Sequence, residues 1–363
     1  MRRTVGLLLL ALAGAFLASL LFGPANVPPS RILAGLLDPG RPESETARIL
    51  VRDLRLPRAI AAVLSGAALA ISGALLQSYF ANPMAGPYVT GVSSGAGLAV
   101  AVVAVVAGSG GPPSWATPAA ALAGALLLVS LVAFAASRSR SSRTETLLLI
   151  GLAVASIGSA LMSILLLHLP RGPEGVLFWL MGSLASSTGA GNALLAIALG
   201  VGLLAGLWHA RALDAILWGD ETARSVGVEV RRTRALALIA ATILAAASVA
   251  TCGVIGFLGL MAPHIARGLV GPGHGRLLPA SALVGAVTLL LADLGARLLL
   301  APAELPVGAI TSAVGAPFLI WISLRRRGSW DSSAGTRRRS SPKRTSTSSE
   351  APTTKRASAS RRS

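Results

Sequence analysis

Between positions 59 and 137 the chain carries no Asp, Glu, Lys, Arg or His, an uninterrupted run of 79 residues. One helical crossing of a bilayer uses about 20 residues, so this run has to pass through a membrane more than once. Lipid offers the backbone no hydrogen-bond partner, which leaves helices or a closed barrel as spanning structures. Runs of Leu, Ala and Val without strict alternation exclude the barrel. Composition extends the conclusion to the whole chain, since 53% of its 363 residues are hydrophobic and 13% are charged. A soluble domain carries about a quarter of its residues as charges. The expected fold is therefore an all-α integral membrane protein.

Charge-free apolar runs place spans at 5–23, 59–80, 88–107, 117–137, 146–167, 192–209, 235–253, 277–300 and 308–324. The stretch 254–266 is apolar too, but Gly256, Gly259 and Pro263 interrupt it. As one helix, 235–266 would measure about 48 Å at 1.5 Å per residue. That is too long for one crossing of a hydrocarbon core near ~30 Å and short for two. A full span followed by a short, glycine-broken one is expected, which makes about ten transmembrane helices. The apolar run after Met1, Arg2 and Arg3 is longer than a cleaved signal's core and is expected to be a retained first span.

Charge placement sets the orientation. Arg2 and Arg3 precede the first span, and Arg325, Arg326 and Arg327 follow the last. Both termini then belong in the cytoplasm, and the number of crossings is even. Ten crossings also put Arg138, Arg140 and Arg143 inside, with the arginines of 211–234 and 267–276. One loop breaks the rule: residues 24–58, placed outside, carry Arg31, Arg41, Arg48, Arg52, Arg55 and Arg58.

Much of the net charge of +18 lies beyond the spans. Residues 325–363 hold ten Arg and two Lys against Asp331 and Glu350. The chain divides into a membrane domain, 1–324, and a basic Ser/Thr-rich tail, 325–363, expected to be a disordered cytoplasmic segment near anionic headgroups. No nucleic-acid partner is expected.

Several chemistries lack their residues. A P-loop needs a lysine in G-x-x-x-x-G-K-[ST], and the lysines here are Lys343 and Lys355, both in the tail. ATP hydrolysis is thus expected on a separate chain, and this one is read as a transport subunit without a catalytic residue. The single cysteine, Cys252, and the histidines at 168, 209, 264 and 274 have no zinc-site spacing, so no metal or cofactor is expected. Gly91-Val92-Ser93-Ser94-Gly95 fits the G-x-S-x-G pattern of a hydrolase elbow. It opens an apolar helix, where small residues serve close packing. An ion-coupled secondary transporter, the alternative class, would carry isolated intramembrane carboxylates. Only Asp293 lies within an apolar run, and Arg297 follows four residues later on the same helix face.

A set of short motifs, in order, then resembles one family. They are Leu54-Arg55-Leu56-Pro57-Arg58, Ser65-Gly66-Ala67 through Ser72-Gly73, Gln77, Asn82-Pro83-Met84-Ala85-Gly86-Pro87, and Gly91 to Ala96. Trp179-Leu180-Met181-Gly182-Ser183-Leu184, Gly219-Asp220-Glu221-Thr222-Ala223-Arg224-Ser225-Val226-Gly227 and Gly253-Val254-Ile255-Gly256-Phe257-Leu258-Gly259-Leu260 follow. Pro263-His264-Ile265-Ala266-Arg267 and Glu304-Leu305-Pro306-Val307-Gly308 complete the set. Together they resemble the permease subunits of ATP-binding-cassette importers for iron–siderophore chelates, haem and cobalamin, the FecCD type, from about residue 5 to 324.

That resemblance implies ten helices per subunit and alternating access to a central path between two permease subunits, alike or different. It also implies two ATP-binding subunits and an extracytoplasmic substrate-binding protein, all assembled on the cytoplasmic (inner) membrane. It assigns Gly219, Asp220, Glu221, Ala223, Arg224 and Gly227 to a coupling helix seated in the ATPase. Asn82 and Met84, with Thr144 and Glu145, are implied as a cytoplasmic gate. Arg55, Arg58 and Arg297 are implied as the dock for acidic residues of the binding protein, which would explain the arginines that break the charge rule.

Overall fold

A computed structural model describes residues 2–24, 27–37, 43–138, 143–169, 172 and 174–338, and every regular element among them is helical. The first span is α1 (Arg2–Leu21). The arginine-rich segment after it holds α2 (Pro29–Leu37), α3 (Glu43–Arg48) and a π-helical turn, Ile49–Arg55, which runs unbroken into α4 (Leu56–Tyr79). Five helices follow: α5 (Val92–Ala107), α6 (Ala116–Ser137), α7 (Arg143–Leu166), the short α8 (Glu174–Leu180) and α9 (Gly189–Trp208). Two short helices, α10 (Ala210–Leu217) and α11 (Asp220–Ser225), lead to α12 (Val230–Cys252), α13 (Leu258–Val270), α14 (His274–Leu298) and α15 (Val307–Arg338).

Among the described residues, eight helical stretches are long and apolar enough to cross a membrane, and Val307–Ile322 is a shorter apolar one. The glycine-broken segment expected at 254–266 is α13, which starts at Leu258. The shift has a local cause. Gly253 and Phe257 both take positive φ, so 253–257 is a non-helical connection, and the Tyr88 hydroxyl clasps it by bonding the Ile255 carbonyl and accepting from the Ile255 N–H at 3.1 Å. Met1–Phe318 forms one compact body and Leu319–Ser363 a second. In the second body, helix runs through Arg325, Arg326 and Arg327 to Arg338, and tail residues 339–363 lie outside the described residues.

The first body is organised around α4, which packs against α14, α12, α9 and α13. Residues 65–80 of this helix and its exit are buried without interruption. Their small side chains explain how so many neighbours reach one helix, because in membranes close backbone approach replaces the hydrophobic drive. A Cβ on Gly66 would lie 2.4 Å from the Gly285 carbonyl oxygen of α14, and one on Gly73 only 1.6 Å from that of Gly259 in α13. The G-x-S-x-G stretch has the same use: Gly95 of α5 meets Gly124 of α6 at 2.4 Å by the same measure.

Polarity is arranged inside out. Leu7, Leu10 and Leu17 of α1, Leu149, Leu152 and Ile164 of α7, and Ile197, Val201 and Leu204 of α9 all face outward. Several buried hydroxyls are paired with each other or with backbone: Ser65 Oγ with Ser248 Oγ at 2.6 Å, and Ser72 Oγ donating to the Ala241 carbonyl at 2.7 Å. An exterior of this apolar extent suits lipid or partner chains and not water.

Candidate functional site

Two polar sites stand at opposite ends of the antiparallel pair α4 and α14. At the first end, α1 finishes, α4 begins and α14 finishes. Arg58 of α4 donates through Nε to Asp293 Oδ1 at 2.8 Å and through Nη1 to Glu304 Oε2 at 2.8 Å. Arg297 stands 3.1 Å from Asp293 Oδ2 through its own Nε, so the expected i, i+4 pair forms. The remaining donors turn to the end of α1: Arg297 Nη2 to Ser19 Oγ at 2.8 Å, and Arg55 Nη1 to the Leu20 and Leu21 carbonyls at 2.8 Å. Helix C-terminal carbonyls carry partial negative charge and lack intrahelical donors, so cations there are favourable.

Most of the charge at this end is matched inside the protein, although Arg55 Nη2 is buried without a hydrogen-bond partner. Arg58 and Arg297 balance Asp293 and Glu304, and the α1 carbonyls offset the charge of Arg55. Arg297 is 2% exposed and Arg55 4%, whereas the Arg58 side chain keeps 11%. The structure thus brings the three expected docking arginines together, and gives each of them an internal partner. Sequence alone does not single out Ser19, and it shows Glu304 only as the first residue of the Glu304-Leu305-Pro306-Val307-Gly308 motif. Ser19 lies 278 residues from Arg297 and Glu304 lies 246 from Arg58, so no local pattern announces either contact.

At the other end, α10 and α11 project with a small core of their own, formed by Ile216, Ala223 and Val230. Asp220 at the start of α11 is held bidentately by Arg234 of α12, at 2.8 and 3.1 Å. Gly227 ends the element with φ +82°. Its N–H bonds the Arg224 carbonyl, and the Val228 N–H reaches back to Ala223. This is the paired closure of a Schellman stop, which wants glycine at that position. Of the expected coupling residues, Ala223 and Asp220 face the protein, and Glu221 and Arg224 are exposed. Beside them Trp218 and Val226 are exposed at 82% and 67%. A fixed platform therefore presents apolar and charged side chains together.

The expected gate residues divide. Asn82 shapes the turn after α4, its Oδ1 accepting the Met84 N–H at 2.9 Å, and Met84 is exposed. Thr144 and Glu145 fall in the first turn of α7, and their side chains lie outside the described residues. The 3-10 turn that follows the Asn82 turn, Pro87–Thr90, packs against α7.

A glycine-packed bundle of about ten apolar helices around one central helix, with a charged platform at one end, is the architecture of a multi-pass transport permease. The chain belongs to the FecCD transport family, whose model matches residues 8–325. It is 42% identical over 283 residues to the cobalamin import system permease protein BtuC of Halobacterium salinarum, covering 77% of this chain and 74% of that protein. It is 40% identical over 288 residues to the vitamin B12 import system permease protein BtuC of Salmonella typhi, covering 79% and 87%. Its fold matches a metal-chelate type ABC transporter solved in an inward-facing conformation, with a TM-score of 0.77 and 30% identity over 89% of this chain and 99% of that one. The chain is thus an importer permease subunit of the ATP-binding-cassette type.

Proposed function

We propose that this permease carries a cobalamin-type metal chelate into the cytoplasm by alternating access, driven by ATP hydrolysed on partner chains. The observation that carries the coupling is the α10–α11 platform, which is anchored from within and leaves its outward side chains unspent. The names of the relatives favour cobalamin over iron–siderophore and haem as substrate. A second permease subunit, two ATP-binding subunits and an extracytoplasmic binding protein would complete the machine. Arg58, still partly exposed, would meet an acidic residue of the binding protein, with Arg55 and Arg297 holding the shape of that face. Asn82 and Met84, with Thr144 and Glu145, would close the cytoplasmic side of the path.

The test is uptake into vesicles holding the permease, its ATP-binding subunits and its binding protein. ATP-dependent accumulation of labelled cobalamin is expected, with ferric siderophore and haem left outside. Uptake of ferric siderophore alone would overturn the substrate. Uptake driven by a proton gradient without the ATP-binding subunits would make the chain a secondary transporter.

Arginine at both ends of the spans supports a topology with both termini on the cytoplasmic side of the cytoplasmic membrane. A reporter active only outside the cytoplasm, fused after Arg327, is therefore expected to stay silent. Activity there would mean an odd number of crossings and would remove α13 from the count.

A further inference from the structure

The helix α14 begins at His274, and the residue at its N-cap, Gly273, has no side chain to cap it. The cap comes from another element. Asp214 of α10 accepts the backbone N–H of His274 at 2.9 Å, and the same oxygen stands 2.5 Å from His274 Nδ1. The other ring nitrogen of His274, Nε2, hydrogen-bonds Ser78 Oγ of α4. Ser78 also reaches the Ala74 carbonyl at 3.1 Å. Three elements therefore meet in one chain of hydrogen bonds, with His274 and Ser78 wholly enclosed. Burial works against charge on Asp214, but the bonds from the His274 ring and backbone outweigh it and hold its carboxyl below the usual range.

The connectivity is that of a nucleophile, base and acid, yet an enclosed Ser78 hydroxyl can meet no substrate. The arrangement is mechanical. With Nδ1–H given to Asp214, Nε2 accepts the Ser78 hydroxyl proton. From Arg58 to Ser78 is 20 residues along α4, about 30 Å at 1.5 Å per residue, close to the thickness of the hydrocarbon core. The pair α4 and α14 is thus bound at one end by Arg58–Asp293, in the middle by the Gly66–Gly285 approach, and at the other end by Ser78–His274.

We propose that Ser78, His274 and Asp214 are positioning residues of the transport cycle, fastening α10 to α4 and α14 so that motion of α11 moves both spans. This rests on α11 as the contact of the ATP-binding subunit. A buried unpaired polar group is expensive, so the three elements gain nothing by sliding independently.

The test uses the whole complex in vesicles and reads substrate transported per ATP hydrolysed. His274→Phe puts a somewhat larger ring in the same place and removes both ring hydrogen bonds. It is expected to lower that ratio about tenfold, the effect of ~1.4 kcal/mol of lost coupling, while ATP hydrolysis continues. Ser78→Ala, a change of one buried hydroxyl that leaves the packing in place, cuts only the tie to α4 and is expected to lower the ratio about threefold, roughly 0.7 kcal/mol on the same scale. Asp214→Asn retains an oxygen that accepts both N–H groups and is expected to stay within about twofold, since the bonds persist and only their charge is lost. A wild-type ratio in both Ser78→Ala and His274→Phe would overturn the proposal, as would equal losses in Asp214→Asn and His274→Phe. Thr222→Cys, on exposed α11, separates the two ideas, because the native Cys252 is buried. Absence of a cross-link from it to the ATP-binding subunit would remove the α11 contact itself. A cross-link together with unchanged ratios would overturn the relay alone.

Discussion

Asp293→Ala is expected to destabilise the permease by about 3–5 kcal/mol, the cost of leaving a buried charge without its partner. Asp293 is fully enclosed and serves two guanidinium groups, Arg58 at 2.8 Å and Arg297 at 3.1 Å. Its removal leaves two arginines facing Glu304 alone, inside an apolar bundle. The ties that Arg297 makes to Ser19 would loosen with it, freeing the end of α1. Thermal unfolding of the purified protein in detergent would show the loss. Removing both members of the i, i+4 pair, as Asp293→Asn with Arg297→Met, is expected to recover much of it, since a buried pair contributes less than its broken half costs. Equal stability of Asp293→Ala and the wild type would mean that this end is open to water.

Gly227→Pro is expected to reduce transport more than tenfold while the chain still inserts. The φ of +82° at this position is closed to proline, which is held near about −65°. Proline also lacks the N–H that closes on Arg224. The platform would lose its stop, and Val228 its bond to Ala223, so α11 would no longer be presented at a fixed angle. Asp220→Lys together with Glu221→Lys attacks the same element by charge, because the first change sets a second cation against Arg234 in place of its carboxylate partner. The measurement is ATP hydrolysis stimulated by the binding protein in vesicles. Stimulation at the wild-type level in both variants would show that energy does not enter through α11.

Much of the architecture is legible in the amino-acid order, and for a simple reason. Whether a segment crosses a membrane depends on its own length and charge, so the spans emerge within about five residues of their observed bounds, except that the last helix runs on from 324 to Arg338. The break between α12 and α13 is local too, signalled by a run of awkward length and by Gly256, although Gly259 and Pro263 turn out to lie within α13. The pairing of Asp293 with Arg297 follows from helix spacing alone. The platform residues 219–227 are visible because a glycine, two acids, an arginine and a glycine in order are what a capped short helix requires.

Which polar groups meet is settled by the packing of distant helices instead. Arg58 and Asp293 are 235 residues apart, Ser78 and His274 are 196, and Asp214 and His274 are 60. No periodicity links such positions, and His274 in sequence is an isolated histidine after a Gly-Pro-Gly turn. The arginines that break the charge rule can be counted from sequence, but the internal partners of Arg55 and Arg58 cannot be read there. Those partners exist because α1 packs on α14, and α14 on α4 through Gly66 and Gly285, which admit backbone to backbone. A bilayer then makes each buried charge seek the nearest group able to satisfy it.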